Sequence, residues 1–200
     1  MKIRLFEVDS FTVKPFKGNP AAVCLLDQPR EDAWMQALAT ELLLSETAFL
    51  YPKGNDYDLR WFTPSTEVNL CGHATLASAH ILFELGLYDP GETIQFHTKS
   101  GVITATFDLG TITLDMPLIR PIPAVSTPLL EEILGQVPLD VAHSEDLAIL
   151  VAELADLDAL KALEPDFKKI AALEEHNLVV TARCVTGEYD FVSRFFSPHT

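Results

Sequence analysis

The spacing of apolar residues divides the chain into short strands and a few helices. Residues 3–8 and 21–26 are dense in aliphatic side chains and read as strands. Between them, Lys14-Pro15-Phe16-Lys17-Gly18-Asn19-Pro20 is a run of turn formers. Pro29, followed by Glu31 and Asp32, opens a helix over 30–43. Proline suits a first turn, and acids favour the positive end of the dipole. Trp34, Leu38 and Leu42 recur every four residues, which predicts the buried face of that helix. Residues 46–51 and 57–62 read as strands around Pro52-Lys53-Gly54-Asn55.

A further helix begins near Gly72 or His73. Ala74, Ala77, Ile81 and Leu85 share one face, and Gly86 suits its end. Its first turns read Ala-Thr-Leu-Ala-Ser-Ala, small enough for neighbouring backbone to come close, so a central, buried position is expected. Three strands follow as a meander over 93–98, 102–107 and 111–116, with turns at Lys99-Ser100-Gly101 and Asp108-Leu109-Gly110.

The proline-rich stretch 117–128 reads as a linker. Beyond it the order strand, helix, strand, strand returns: 147–151, a helical region over 154–173 broken near Pro165, 177–182 and 189–196. The residues echo too. Arg60-Trp61-Phe62-Thr63-Pro64-Ser65-Thr66 aligns with Arg194-Phe195-Phe196-Ser197-Pro198-His199-Thr200, and Tyr57-Asp58 has a near echo in Tyr189-Asp190. The chain thus reads as two copies of one α+β unit, in lobes 1–116 and 117–200. The second copy has no counterpart of the helix at Gly72.

The overall charge narrows the partners. Lysine and arginine number 14 against 29 acids, a formal charge of −15. Such a surface repels nucleic acid and anionic lipid. No apolar run reaches the roughly 18 residues of a membrane span, and the first residues read as a strand and not a signal peptide. Three cysteines without tight spacing, Cys24, Cys71 and Cys184, argue against a disulfide framework and for a reducing compartment. A cytoplasmic location is expected.

The candidate chemistry gathers at Leu70-Cys71-Gly72-His73-Ala74-Thr75, where loop passes into helix. Free backbone amides there make a site for a carboxylate or phosphate. Gly72 admits a ligand close to the backbone. The helix dipole is expected to lower the pKa of Cys71, and His73 suits a donor or proton shuttle. Glu46, entering a strand beside Leu44, Ala48 and Phe49, is a carboxylate whose partial desolvation would suit acid–base work. Asn19 lies in a loop from which it can reach a ligand, and Glu67 reads as structural. No zinc spacing, phosphate loop, dinucleotide fingerprint or Gly-x-Ser-x-Gly is present.

Taken in order, Asp9-Ser10-Phe11 with Gly18-Asn19-Pro20-Ala21-Ala22-Val23, Ser45-Glu46-Thr47-Ala48-Phe49, Arg60-Trp61-Phe62-Thr63-Pro64, and Glu67 through Cys71-Gly72-His73-Ala74-Thr75-Leu76-Ala77 resemble the phenazine-biosynthesis isomerase (PhzF-like) family, within the diaminopimelate epimerase-like fold. The resemblance covers nearly the whole chain. It implies two pseudo-symmetric lobes, each a curved, mostly antiparallel sheet around a central helix, with the active site in the cleft between them. It implies a cofactor-independent isomerase without metal, acting on a small carboxylic acid, and commonly a homodimer. Glu46 matches the family's proton-moving glutamate and His73 its site histidine. Gly72 and His73 would supply amides to the substrate carboxylate, with Cys71, Ala74 and Asn19 as further binding positions.

Two alternatives remain open. One is an amino-acid racemase or epimerase with Cys71 as a base. The other is an inactive remnant that binds a ligand or forms dimers. The second weighs in because the family continues past its second Phe-Ser/Thr-Pro stretch into another half-site. That continuation would begin after Thr200, so the chain is expected to be truncated and its second lobe to present an open apolar sheet.

Overall fold

A computed structural model describes residues 3–185, 187 and 189–198. The chain forms two compact units, one ending at Pro117 and the other beginning at Leu118.

The first unit runs β1 (Arg4–Ser10), β2 (Asn19–Leu25), α1 (Asp32–Leu42), β3 (Glu46–Lys53), β4 (Asp56–Phe62), β5 (Glu67–Val68), α2 (Gly72–Glu84), β6 (Thr93–Thr98), β7 (Gly101–Asp108) and β8 (Thr111–Asp115). Its sheet has the order β1-β2-β3-β4-β6-β7-β8, with β5 paired to β4. Neighbours are antiparallel except β2 with β3 and β4 with β6. α2 touches β1, β2 and β3 at one end of this order and β7 and β8 at the other, so the sheet curls around it.

Two apolar layers result from strand alternation. Ala21, Val23 and Leu25 of β2, Ala48 and Leu50 of β3, and Leu59 and Trp61 of β4 face α2 and form one core. Cys24, Phe49 and Phe62 point to the other side and pack with Met35 and Ala39 of α1. α2 is enclosed on most of its circumference: Ala74, Thr75, Ala77, Ser78, Ala79, Ile81 and Leu82 are all buried. Ala and Ser bury little area themselves. The larger hydrophobic contribution, roughly 1.5–3 kcal/mol for each fully buried large side chain, comes from Trp61, Phe96, Leu50 and Leu59 packed around them.

Two faces differ from the sequence expectation. In α1 the buried residues are Met35 and Ala39, while Trp34 is 37% exposed and meets Phe49 edge-on. The four-residue spacing of Trp34, Leu38 and Leu42 therefore marks the flank of the buried stripe and not its centre. Leu85, grouped with the buried face of α2, is likewise 37% exposed, because it lies beyond the helix as its C-cap.

The second unit runs β9 (Ile122–Pro123), α3 (Pro128–Leu134), β10 (Asp140–Ser144), β11 (Ile149–Leu154), α4 (Leu157–Ala162), α5 (Phe167–Ala171), β12 (Asn177–Arg183) and β13 (Phe191–Phe196). Its sheet order is β13-β12-β11-β10-β9. α3 and β10 are absent from the sequence reading. Proline density hid the helix start, yet Pro128 sits in its first turn and the Thr127 hydroxyl accepts from the Leu130 amide at 3.2 Å. α4 and α5 pack on one face of the sheet, burying Leu150, Ala152, Leu154, Leu178, Val180 and Ala182.

The sequence repeat is a structural repeat. β2 is parallel to β3, which is antiparallel to β4; β11 is parallel to β12, which is antiparallel to β13. Arg60 lies over the Phe62 ring at 5.2 Å, and Arg194 over Phe196 at 4.9 Å. His199 and Thr200, the last two residues of the echo, lie outside the described residues. In its fold class, α+β with a curved, mostly antiparallel sheet around a helix, the first unit matches the expectation.

Candidate active site

Alternation along β3 decides where Glu46 points. It shares parity with Ala48 and Leu50, whose side chains face α2, so its carboxylate emerges at the end of that face. α1 delivers the chain there through Leu43, its C-cap, held in the left-handed region at φ 55 with its amide bonded to Ala39. That conformation costs a non-glycine residue roughly 1–2 kcal/mol and turns the backbone sharply into Leu44-Ser45-Glu46.

α2 begins where Glu46 ends up. Its N-cap is Cys71, in extended conformation, with no side-chain cap bond. The amides of Gly72, His73 and Ala74 precede any intrahelical partner. The Thr75 hydroxyl donates to the Cys71 carbonyl at 2.6 Å and anchors the first turn. A Cβ placed on Gly72 would meet nothing within 4 Å, so the backbone there is open to approach.

His73 joins the two. Its Nε2 lies 3.2 Å from Glu46 Oε2 and 3.2 Å from Ser45 Oγ, and its Nδ1 lies 3.4 Å from Cys71 Sγ. The Ser45 hydroxyl also reaches the Pro20 carbonyl at 3.2 Å. The side chains of His73 and Glu46 are 10% and 18% exposed. Among the described residues Glu46 Oε2 is buried without a hydrogen-bond partner, so its contact with Nε2 is close but poorly aligned. A buried carboxylate oxygen left in that state is costly.

The end of β1 and the loop before β2 brace this arrangement. Ser10 Oγ donates to the His73 carbonyl at 2.8 Å. Asp9 accepts from the Phe16 amide at 2.6 Å. A Cβ on Gly18 would fall 2.3 Å from the Ser10 carbonyl oxygen. Glycine is therefore required for the loop to close on the residue that holds His73.

Cys71 departs from its expectation. It is 7% exposed, and burial, with the Glu46 charge adding to it, pushes its thiol up to about 12, although the Ala74 and His73 amides pull the other way. Desolvation outweighs the helix start, so Cys71 is a thiol at neutral pH and not an activated thiolate.

The remaining candidates divide by position. Asn19 opens β2 opposite Ser10 and is exposed. Ala74 is fully buried among the residues around α2, so its methyl serves packing and its amide is what it can offer a ligand. Glu67 is tied to Arg60 by two hydrogen bonds of 2.7 Å, with Lys99 also bound to it. The Arg60 bond holds the Glu67 carboxyl below the usual range. Sequence reasoning passed over Ser45 as a site residue; its available signal was adjacency to Glu46.

Glu46, Cys71 and His73 place one ligand atom each within 4.8 Å of one another, so their donor types could hold a metal ion. No sequence spacing announces this group because Glu46 comes from a separate strand. The His73 ring, however, turns one nitrogen to each neighbour and so stands between them.

The profile of the PhzC-PhzF family, described as phenazine biosynthesis-like protein, matches residues 8–200. An uncharacterized isomerase of Halalkalibacterium halodurans is 46% identical over 199 residues, covering 99% of this chain and 74% of that protein. A PhzF-family crystal structure from Enterococcus faecalis superposes with a TM-score of 0.86 at 39% identity, over 99% of this chain and 74% of that one. A Pseudomonas aeruginosa protein described as a predicted epimerase shares the fold at TM-score 0.69 and 22% identity, over 93% of this chain and 71% of that one.

Proposed function

This chain belongs to the phenazine biosynthesis-like PhzC-PhzF family, and from that membership we propose that it is an isomerase which moves a proton on a small carboxylic acid, with Glu46 as the general acid and base. Isomerase is the class for which the Halalkalibacterium halodurans relative is named. The observation that supports the finer reading is the buried, unpartnered Glu46 Oε2 beside His73, at the start of a central helix.

In this reading the substrate carboxylate sits against the amides of Gly72 and His73, at the positive end of α2. Glu46 takes a proton from a carbon activated by that carboxylate or by a conjugated system. The C–H pair passes into the substrate, whose developing negative charge the same amides stabilise. Glu46 then returns the proton at a different carbon. The chemistry needs no added cofactor, because one carboxyl group supplies both proton steps.

The test is solvent-deuterium incorporation into a panel of small carboxylic acids, followed by NMR. Glu46→Gln is expected to abolish incorporation with the fold intact. Undiminished exchange in that variant removes Glu46 from the base role. The racemase reading, with Cys71 as a base, predicts the reverse: loss in Cys71→Ser and tolerance of Glu46→Gln. The burial of Cys71, which pushes its thiol up, favours Glu46.

A further inference from the structure

We propose that Ser45 is a positioning residue that fixes the His73 ring in the Nε2–H tautomer, which makes Nδ1 the acceptor for the Cys71 thiol and keeps the ring's hydrogen bond on Ser45, away from the Glu46 carboxylate. The proposal deepens the reading of Glu46 as the proton-moving group and rests on it.

Four contacts converge on this pattern. A serine hydroxyl carries one hydrogen. Ser45 directs its hydrogen to the Pro20 carbonyl, so its oxygen is left to accept from Nε2–H at 3.2 Å. Glu46 Oε2 also lies 3.2 Å from Nε2. A bare Nε2 would set its lone pair against that buried carboxylate oxygen, whereas an Nε2–H presents the favourable charge. At the far side of the ring, Cys71 Sγ lies 3.4 Å from Nδ1. A thiol there is a donor and needs an acceptor; a bare Nδ1 provides one. The opposite tautomer would aim Nδ1–H at sulfur, a weak acceptor, and leave the thiol hydrogen without that partner. The Ser10 bond to the His73 carbonyl holds the residue in place while the ring is oriented.

Ser45 and Glu46 both approach Nε2, but they differ in what they contribute. The Ser45 contact has hydrogen-bond geometry and the Glu46 contact does not. The tautomer is therefore set by the hydroxyl, and the carboxylate stays free to take a proton from substrate. During turnover the proton goes from substrate carbon to Glu46 and back, while Cys71 keeps its own hydrogen.

The test is the imidazole nitrogen spectrum of the free chain, labelled with nitrogen-15 in histidine, at about pH 8, where an ordinary imidazole is neutral. Wild type is expected to show His73 with hydrogen on Nε2 and none on Nδ1. Ser45→Ala should convert this single form into a mixture, and Ser45→Thr should restore it. A wild-type ring protonated on Nδ1, or on both nitrogens, overturns the proposal. So does a Ser45→Ala ring that stays wholly in the Nε2–H form. Because the spectrum is read without substrate, it can fail while the deuterium test holds, and the reverse.

Discussion

At Cys71 two influences oppose each other, and the outcome has a pH signature. The folded state holds the thiol proton up to about 12, against 9.0 for an ordinary thiol. Folding therefore binds a proton that the unfolded chain releases earlier. The stabilisation is fully present below pH 9 and is lost as pH climbs towards 12. Cys24, pushed up to about 11 by burial, adds a slope of the same sign. Cys71→Ser is expected to flatten the alkaline loss in part, by up to ~1.4 kcal/mol per pH unit in that window. Urea unfolding of both proteins at neutral and alkaline pH measures it, and an unchanged slope would contradict the burial argument. The residue types of this site were legible in the sequence; the thiol's state was not. Burial depends on strands that close around α2, and residues 70–75 alone carry no trace of them.

Among the elements, α2 carries the sharpest conflict between stability and use. Gly72 lies in its first turn with open space where a Cβ would go. Alanine is a better helix former than glycine by about 1 kcal/mol. Gly72→Ala should therefore raise the melting temperature by a few degrees, while lowering activity at least tenfold if substrate approaches that backbone. Calorimetry beside the deuterium assay separates the two effects. A gain in stability with full activity would free the Gly72 backbone from any role in binding. Legibility at this scale followed length and periodicity. α2 was readable as central because small residues fill it, and the β6–β8 meander because its turns carry glycine. α1 was placed correctly, but its buried face was misjudged, since Met35 and Ala39 are less conspicuous than Trp34. α3 was missed because its proline reads as linker until the Thr127 cap is seen.

For the molecule as a whole, the repeated strand order matters more than the repeated letters. Thr47 pairs with Phe62 as Leu178 pairs with Phe196, which makes Asn177 the positional counterpart of Glu46. Asn177 instead donates to the Ala148 carbonyl at 3.0 Å. At this position the repeat keeps the scaffold and not the carboxylate. Its second sheet also has a face that α4 and α5 do not cover, where Ala142, Val151, Val179 and Phe195 form a row across four strands. Phe195 is 59% exposed. An apolar row of that kind is expected to bind a hydrophobic fluorescent dye under native conditions. Phe195→Ser should cut the dye signal severalfold and keep a cooperative melt, because Phe195 lies outside the buried core. A dye signal unchanged by the substitution would locate the binding surface elsewhere.

The distribution of site residues along the chain has one more consequence. Ser10, Ser45, Glu46, Cys71 and His73 all precede Pro117, where the first compact unit ends. Protein synthesis is vectorial, and amino-terminal units fold first as they clear the ribosome. The strand that bears Glu46 and the helix that bears His73 can therefore meet while later codons are still being read. The Glu46 carboxylate is then sheltered before translation of the second repeat is finished.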